Sequence, residues 1–161
     1  MLFRSIMPDV IIEIPIHSRI KYEFDKEANM IRVDRYIKTP LPYPFNYGYF
    51  PNTLGEDGDP LDAILLTNHA LLPGCIIECS IIGAIEMIDN GEVDTKILVV
   101  PSNKLKFSEC EMVHNNKITY EFEKEVRFFL ENYKMFDNKV VELGKTLTKK
   151  EAEDIYTKSK L

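Results

Sequence analysis

Hydrophobic and polar residues alternate in short runs through the first hundred positions. The runs lie at 10–16 (VIIEIPI), 20–24 (IKYEF), 31–37 (IRVDRYI), 76–88 and 94–100 (DTKILVV). Their period of two predicts β-strands. Turn-forming stretches such as DKEAN and DNGE separate them. Asn90-Gly91 predicts a hairpin, because both residues tolerate positive φ. The last forty residues read as α. Phe122, Val126, Phe129 and Tyr133 fall at i, i+4, i+7 and i+11, one stripe of a helix. A second helix is predicted to start at Thr148, with Glu151 completing a capping box and Ala152, Ile155 and Tyr156 as its apolar stripe. Strands followed by helices indicate an α+β protein whose β part is a small barrel or curled sheet. No repeat, linker or low-complexity tract divides the chain, and residues 1–161 read as one domain.

The same alternation puts charged residues on apolar faces. Lys21 and Glu23 share one face of their strand, opposite Tyr22 and Phe24. Arg35 lies on the face of Ile31, Val33 and Ile37, and Asp94 and Lys96 lie on the face of Leu98. A guanidinium on a core-facing side must be paired or line a cavity. Any one of these residues alone fits a frayed edge strand or a surface ion pair. If the strands close into one barrel, all five project into a common charged mouth.

Composition narrows the classes. The formal net charge of −6 argues against general binding of nucleic acid, which needs a basic surface. Cys75, Cys79 and Cys110 form no disulfide framework and suit a reducing cytosol. His17, His69 and His114 have no partner at zinc-ligand spacing. The stretch MLFRSIMPDVIIEIP lacks a signal-peptide pattern, and no apolar run approaches the roughly 20 residues that span a bilayer. The expected location is the cytoplasm.

Candidate chemistry begins at residues 57–62, DGDPLD, preceded by Glu56. Two carboxylates ~6 Å apart repel by roughly 3 kcal/mol at an effective dielectric of ~20. A solvated turn accounts for the residue types, since Asp, Gly and Pro are turn formers; a bound cation accounts for the charge. An EF-hand does not fit: counting from Asp57, the sixth position is Asp62 rather than Gly, and the twelfth is Asn68. Asp89, Glu92 and Asp94 form a second acidic group around the Asn-Gly hairpin. Two converging acidic loops suit a hard cation held by oxygen ligands. Lys, Arg and the phenols of YPFNYGYF (43–50) then suit the anionic oxygens of a phosphorylated substrate. Gly144-Lys145-Thr146 is no P-loop, because the first glycine would fall on Lys139.

These motifs together resemble the soluble family I inorganic pyrophosphatases of the short, prokaryotic type. DGDPLD matches the family signature Asp-x-Asp-Pro-x-Asp. IEIP (12–15), KYE (21–23), DR (34–35), YPFNYGY (43–49), the Asp89/Asp94/Lys96 set and Tyr133-Lys134 follow in the family's order. The resemblance implies an OB-like five-stranded β-barrel with flanking C-terminal helices. It implies Mg²⁺-dependent hydrolysis of pyrophosphate to two phosphates, with several ions per site and Mn²⁺ or Zn²⁺ as substitutes. It places Asp57, Asp62 and Asp94 as ligands of activating metals, and Asp89 as a ligand filled together with substrate. Asp59 matches the carboxylate that orients and deprotonates the attacking water. Lys21, Arg35, Tyr47, Lys96, Tyr133 and Lys134 match phosphate-binding positions, with Glu13 and Glu23 in support. It further implies a homo-oligomer, a hexamer, with no nucleic-acid or membrane partner. The stretch 138–161 shows little family likeness, and the chain has no Trp, which members often carry after the glycine matching Gly144. Two readings compete: a metal or phosphate binder without turnover, and an OB-fold nucleic-acid binder. The first would be favoured by loss of an aspartate among 57, 59, 62 and 94, and none is lost. The second needs a basic, aromatic groove, against which the acidic loops argue.

Overall fold

A computed structural model describes residues 6–114 and 117–161. The first five residues of the stretch MLFRSIMPDVIIEIP and the side chain of His114 lie outside the described residues. The strands are β1 (Asp9–Ile14), β2 (Ile20–Asp25), β3 (Met30–Tyr36), β4 (Asn46–Tyr49), β5 (Asp62–Leu65), β6 (Ile76–Asp89), β7 (Glu92–Val93), β8 (Lys96–Pro101) and β9 (Val141–Leu147). The helices are α1 (Glu111–His114), α2 (Tyr120–Asn132) and α3 (Lys149–Ser159), with short 3₁₀ turns between.

Five strands close a ring in the order β1-β4-β5-β8-β6, because β6 also pairs with β1. All neighbours are antiparallel except β5 and β8. With α2 and α3 this makes an α+β protein, as expected. β6 is 14 residues long and serves four neighbours, β1, β7, β8 and β9. Register shifts at Ile81–Gly83 and Ile85–Met87 bend it around the ring. Its hairpin to β7 turns through Asn90 at φ 50° and Gly91 at φ 87°, as predicted.

Both faces of β5 and β8 are buried. Ala63, Leu65, Ile97 and Val99 pack with Ala152 of α3, while Ile64, Leu66, Leu98 and Val100 pack with Val126, Phe129 and Leu130 of α2. The α2 stripe is thus the predicted one, with Tyr133 at the cap just beyond the helix. The capping box of α3 is also present: Thr148 Oγ1 accepts from the Glu151 N–H at 3.2 Å, and Glu151 Oε1 accepts from the Thr148 N–H at 3.1 Å.

Three differences from the sequence reading matter. Residues 141–147 form a strand on the edge of β6, not a helix. β4 and β5, only four residues each, fall in a stretch read as turns and motifs. Third, β2 and β3 pair only with each other, and every residue of β3 is exposed. Ile31, Val33 and Arg35 therefore face no core. The strand keeps an amphipathic pattern but forms a two-stranded arm outside the ring. Arg19 anchors the base of this arm, donating to the carbonyls of Ile37 and Thr39 at 3.2 and 3.0 Å.

Candidate active site

The arm, one end of the ring and the segment after α2 enclose a cleft of about 720 Å³. All thirteen residues singled out for the site line it: Glu13, Lys21, Glu23, Arg35, Tyr47, Asp57, Asp59, Asp62, Asp89, Asp94, Lys96, Tyr133 and Lys134. The common charged mouth expected from strand alternation is present, although the arm reaches it from outside the ring.

The deepest charged group is Lys96, the first residue of β8, with 2% of its surface exposed. Its position on β8 puts it on the face of Leu98 and Val100, toward α2. The ammonium donates to Asp62 Oδ2 at 2.5 Å, Asp94 Oδ2 at 2.9 Å and the Tyr47 hydroxyl at 3.0 Å. A buried ammonium needs such partners to stay charged. Burial alone would depress its pKa, but Tyr47, Asp62, Tyr133 and Asp94 hold it well above the usual lysine value. Burial pushes the Asp94 carboxyl up, with Lys96 opposing. The Tyr47 and Tyr133 phenols are raised chiefly by burial and stay protonated.

Local sequence explains how these groups are held. Tyr47 sits in NYGY because Asn46 and Gly48 fix the strand on either side. Asn46 Oδ1 accepts from the N–H groups of Ile16 and Leu71, both at 3.1 Å. Gly48 passes so close to β1 that a Cβ there would lie 1.9 Å from the Ile11 carbonyl oxygen. Asp62 opens β5 opposite Tyr49, and Asp89 ends β6 opposite Glu92. Between β4 and β5 runs the acidic loop. It closes on itself through Gly55 N–H to the Asp59 carbonyl at 2.7 Å and Asp59 N–H to Asp57 Oδ1 at 3.0 Å. Asp59 stands exposed. Tyr133 stacks on Phe129, ring centroids 5.1 Å apart, and Lys134 pairs with Asp89.

On the arm, Lys21 lies opposite Arg35, and a register shift follows between Lys21 and Tyr22. Lys21 Nζ is 3.9 Å from Glu13 of β1, so this pair joins arm to ring. Burial raises the Glu13 carboxyl to about 7, with Lys21 opposing and Asp62, Asp34 and Glu23 adding to the rise. Arg35 is 66% exposed, and its nearest carboxylate is Asp34 at 3.8 Å. Residues without an assigned role also reach the cleft, among them Lys26, Tyr43, Tyr49, Glu92 and Lys139. Tyr43 belonged to the tyrosine-rich stretch read from the sequence; nothing in the local pattern singles out Lys26 or Lys139.

The donor set suits a hard cation, being carboxylate oxygens without thiolate or imidazole. One oxygen, Asp89 Oδ1, is buried and has no hydrogen-bond partner among the described residues. Unpaired buried carboxylate oxygens are costly, and a cation or ordered water satisfies them. Among the described residues no three acidic, His or Cys side chains stand close enough to cage an ion unaided. A cation of the Mg²⁺ type, which retains several waters, needs only one or two carboxylates. The residues therefore fit.

Comparison with known proteins bears on the whole chain. The family model for inorganic pyrophosphatase matches residues 10–160. The match includes nearly all of the stretch 138–161, where the sequence shows little family likeness. The inorganic pyrophosphatase of Geobacillus stearothermophilus is 40% identical over 144 residues, covering 89% of this chain and 86% of that protein. That of Saccharolobus solfataricus is 43% identical over 137 residues, covering 84% and 80%. Among solved structures, the inorganic pyrophosphatase from Helicobacter pylori superposes with a TM-score of 0.86 at 31% identity, covering 99% of this chain and 96% of that one. The one from Coxiella burnetii gives 0.84 at 34% identity, covering 94% and 91%. With a matching family model along almost its whole length and relatives at 40% and 43% identity, this chain belongs to the inorganic pyrophosphatase family, a family of hydrolases.

Proposed function

We propose that residues 1–161 act as one pyrophosphatase domain that hydrolyses inorganic pyrophosphate to two phosphates. A water attacks directly, Mg²⁺ is the cofactor, and no covalent intermediate forms. The observation that carries this reading is the convergence of five aspartates in one cleft with Lys21, Arg35, Lys96 and Lys134 and with the phenols of Tyr47 and Tyr133. Carboxylates alone would suit a cation store, and cations alone would suit an anion. Both together suit a polyanion that arrives with metal.

Asp57, Asp62 and Asp94 would hold the activating ions, and Asp89 a further ion that enters with substrate. Bound Mg²⁺, or Mn²⁺ or Zn²⁺ in its place, lowers the pKa of water and neutralises phosphate oxygens. Asp59, exposed at the loop tip, orients the attacking water and takes its proton. The Tyr47 hydroxyl accepts from Lys96, so its own proton is free for a phosphate oxygen. Tyr133 offers a second protonated phenol. Lys96 and Lys134 stabilise charge on the side of the ring, Lys21 and Arg35 on the side of the arm, and Glu13 and Glu23 keep the arm's cations oriented. The same reading carries a homohexamer in the cytoplasm, with neither nucleic acid nor membrane as partner.

The test is phosphate release from pyrophosphate by wild type and Asp59→Asn. The variant is expected to fold normally and lose about 10²–10⁴-fold in turnover. Wild-type turnover in the variant removes Asp59 from the mechanism; no release by either protein removes the function.

A further inference from the structure

Residues 52–54 lead into the acidic loop, and they are tied by backbone to residues 159–161. The Leu54 N–H donates to the Ser159 carbonyl at 2.8 Å, and the Leu161 N–H donates to the Asn52 carbonyl at 3.0 Å. Between them Thr53 faces Lys160 as an isolated antiparallel bridge. Thr53 is 4% exposed, and its hydroxyl grips both ends of the loop. It donates to the Phe50 carbonyl at 2.6 Å and accepts from the Leu61 N–H at 3.0 Å. The bonds within the loop are short-range and close only on themselves.

Packing behind the loop reaches only its end, where Leu61 is buried in the apolar cluster that includes Ala152 of α3; residues 55–60 are not buried. A second cavity of about 410 Å³ separates Leu54, Pro60 and Asp62 from Ile155 and Lys158 of α3. Side chains leave that space open, and across it the backbone bridge joins the start of the loop to the end of the helix. The helix itself is secured to the ring by buried Ala152 and by Tyr156, whose ring centroid lies 5.1 Å from that of Phe50.

We propose that residues 159–161 are a positioning strap for the acidic loop. By holding 52–54 they set the spacing of Asp57, Asp59 and Asp62 before a cation enters. The consequence for metal rests on the function proposed above; the ordering of the loop does not.

Three variants of the full chain test the strap. Deletion of 159–161 removes both backbone bonds. Leu161→Pro removes only the Leu161 donor, and Lys160 already has the extended backbone that precedes proline, at φ −64° and ψ 134°. Lys160→Ala keeps both bonds. In metal-free protein, amides of residues 55–61 should exchange with deuterium about tenfold faster in the deletion and in Leu161→Pro, while those of β6 and β8 stay protected. Calorimetric titration with Mg²⁺ should show affinity lowered by about tenfold in the same two variants. Lys160→Ala should match wild type in both. Unchanged exchange at 55–61 in a folded deletion variant overturns the proposal, and so does a Lys160→Ala protein as altered as Leu161→Pro. If wild type neither binds Mg²⁺ nor releases phosphate, the proposed function fails, and the exchange experiment still decides the strap.

Discussion

The two walls of the cleft carry the same kinds of residue but are built differently. On the ring wall, Lys96, Asp62 and Asp94 belong to or adjoin strands buried on both faces, Tyr47 lies on neighbouring β4, and the four satisfy one another. On the arm wall, Lys21, Glu23 and Arg35 sit on two strands that pair only with each other. A charge in the ring wall is part of the core's electrostatic balance, whether or not substrate is present. A charge on the arm has water as its alternative partner and is worth little to the fold. The ring wall therefore joins stability to function, and the arm wall separates them.

Removing Lys96 should break the comparison most forcefully. Lys96→Met leaves Asp62 and Asp94 facing each other without a cation, and breaking such a buried pair costs about 3 kcal/mol or more. Urea unfolding of metal-free protein should show that loss together with loss of turnover. A variant as stable as wild type would mean that the ring wall is no more integrated than the arm. Arg35→Ala is the counterpart. It should raise KM for pyrophosphate about 10–100-fold, as loss of one charge-assisted contact does. Its unfolding midpoint should stay within about 0.5 kcal/mol of wild type. A large stability loss there would place Arg35 in the ring's balance after all.

Glu13 sits at the joint and sharpens the comparison through pH. Burial raises its folded carboxyl from 4.5 to about 7. The folded state thus holds this proton more tightly than the unfolded chain. Its contribution to stability is fully present below about pH 4.5 and is lost as pH rises through about 7. Lys21, Asp62, Asp34 and Glu23 are the charged groups that act on it. Metal-free wild type should lose on the order of 2 kcal/mol between pH 5 and pH 8 from this group. Glu13→Gln should abolish that part of the slope and be the more stable protein at pH 8. Parallel slopes in the two proteins would refute the assignment.

The smallest effect is expected at Thr148, remote from both walls. Thr148→Ala removes the α3 cap, which should cost about 1 kcal/mol of stability while leaving KM unchanged.

Legibility followed the same division. The aspartates, Lys96 and Tyr47 could be read from the sequence because chemistry crowds them into short motifs. The helices could be read because α2 and α3 bury one stripe each. β9 was missed because VELGKTL is half-exposed and gains its strand form from pairing with β6. β4 and β5 were missed because four-residue strands carry too little periodicity to stand out. The arm misled in the opposite sense. Ile31 and Val33 alternate as core residues do, yet β3 has no core to face, and the register shift beside Lys21 breaks the alternation opposite Asp34. Periodicity reports which residues share a face; it does not report what that face meets.

The most direct measurement is phosphate release from pyrophosphate, with Mg²⁺ and with EDTA, and with ATP as a control substrate. The account predicts fast release from pyrophosphate that EDTA abolishes, and little release from ATP. A folded protein that binds Mg²⁺ and releases no phosphate would contradict it, and would leave the cleft a binding site without turnover.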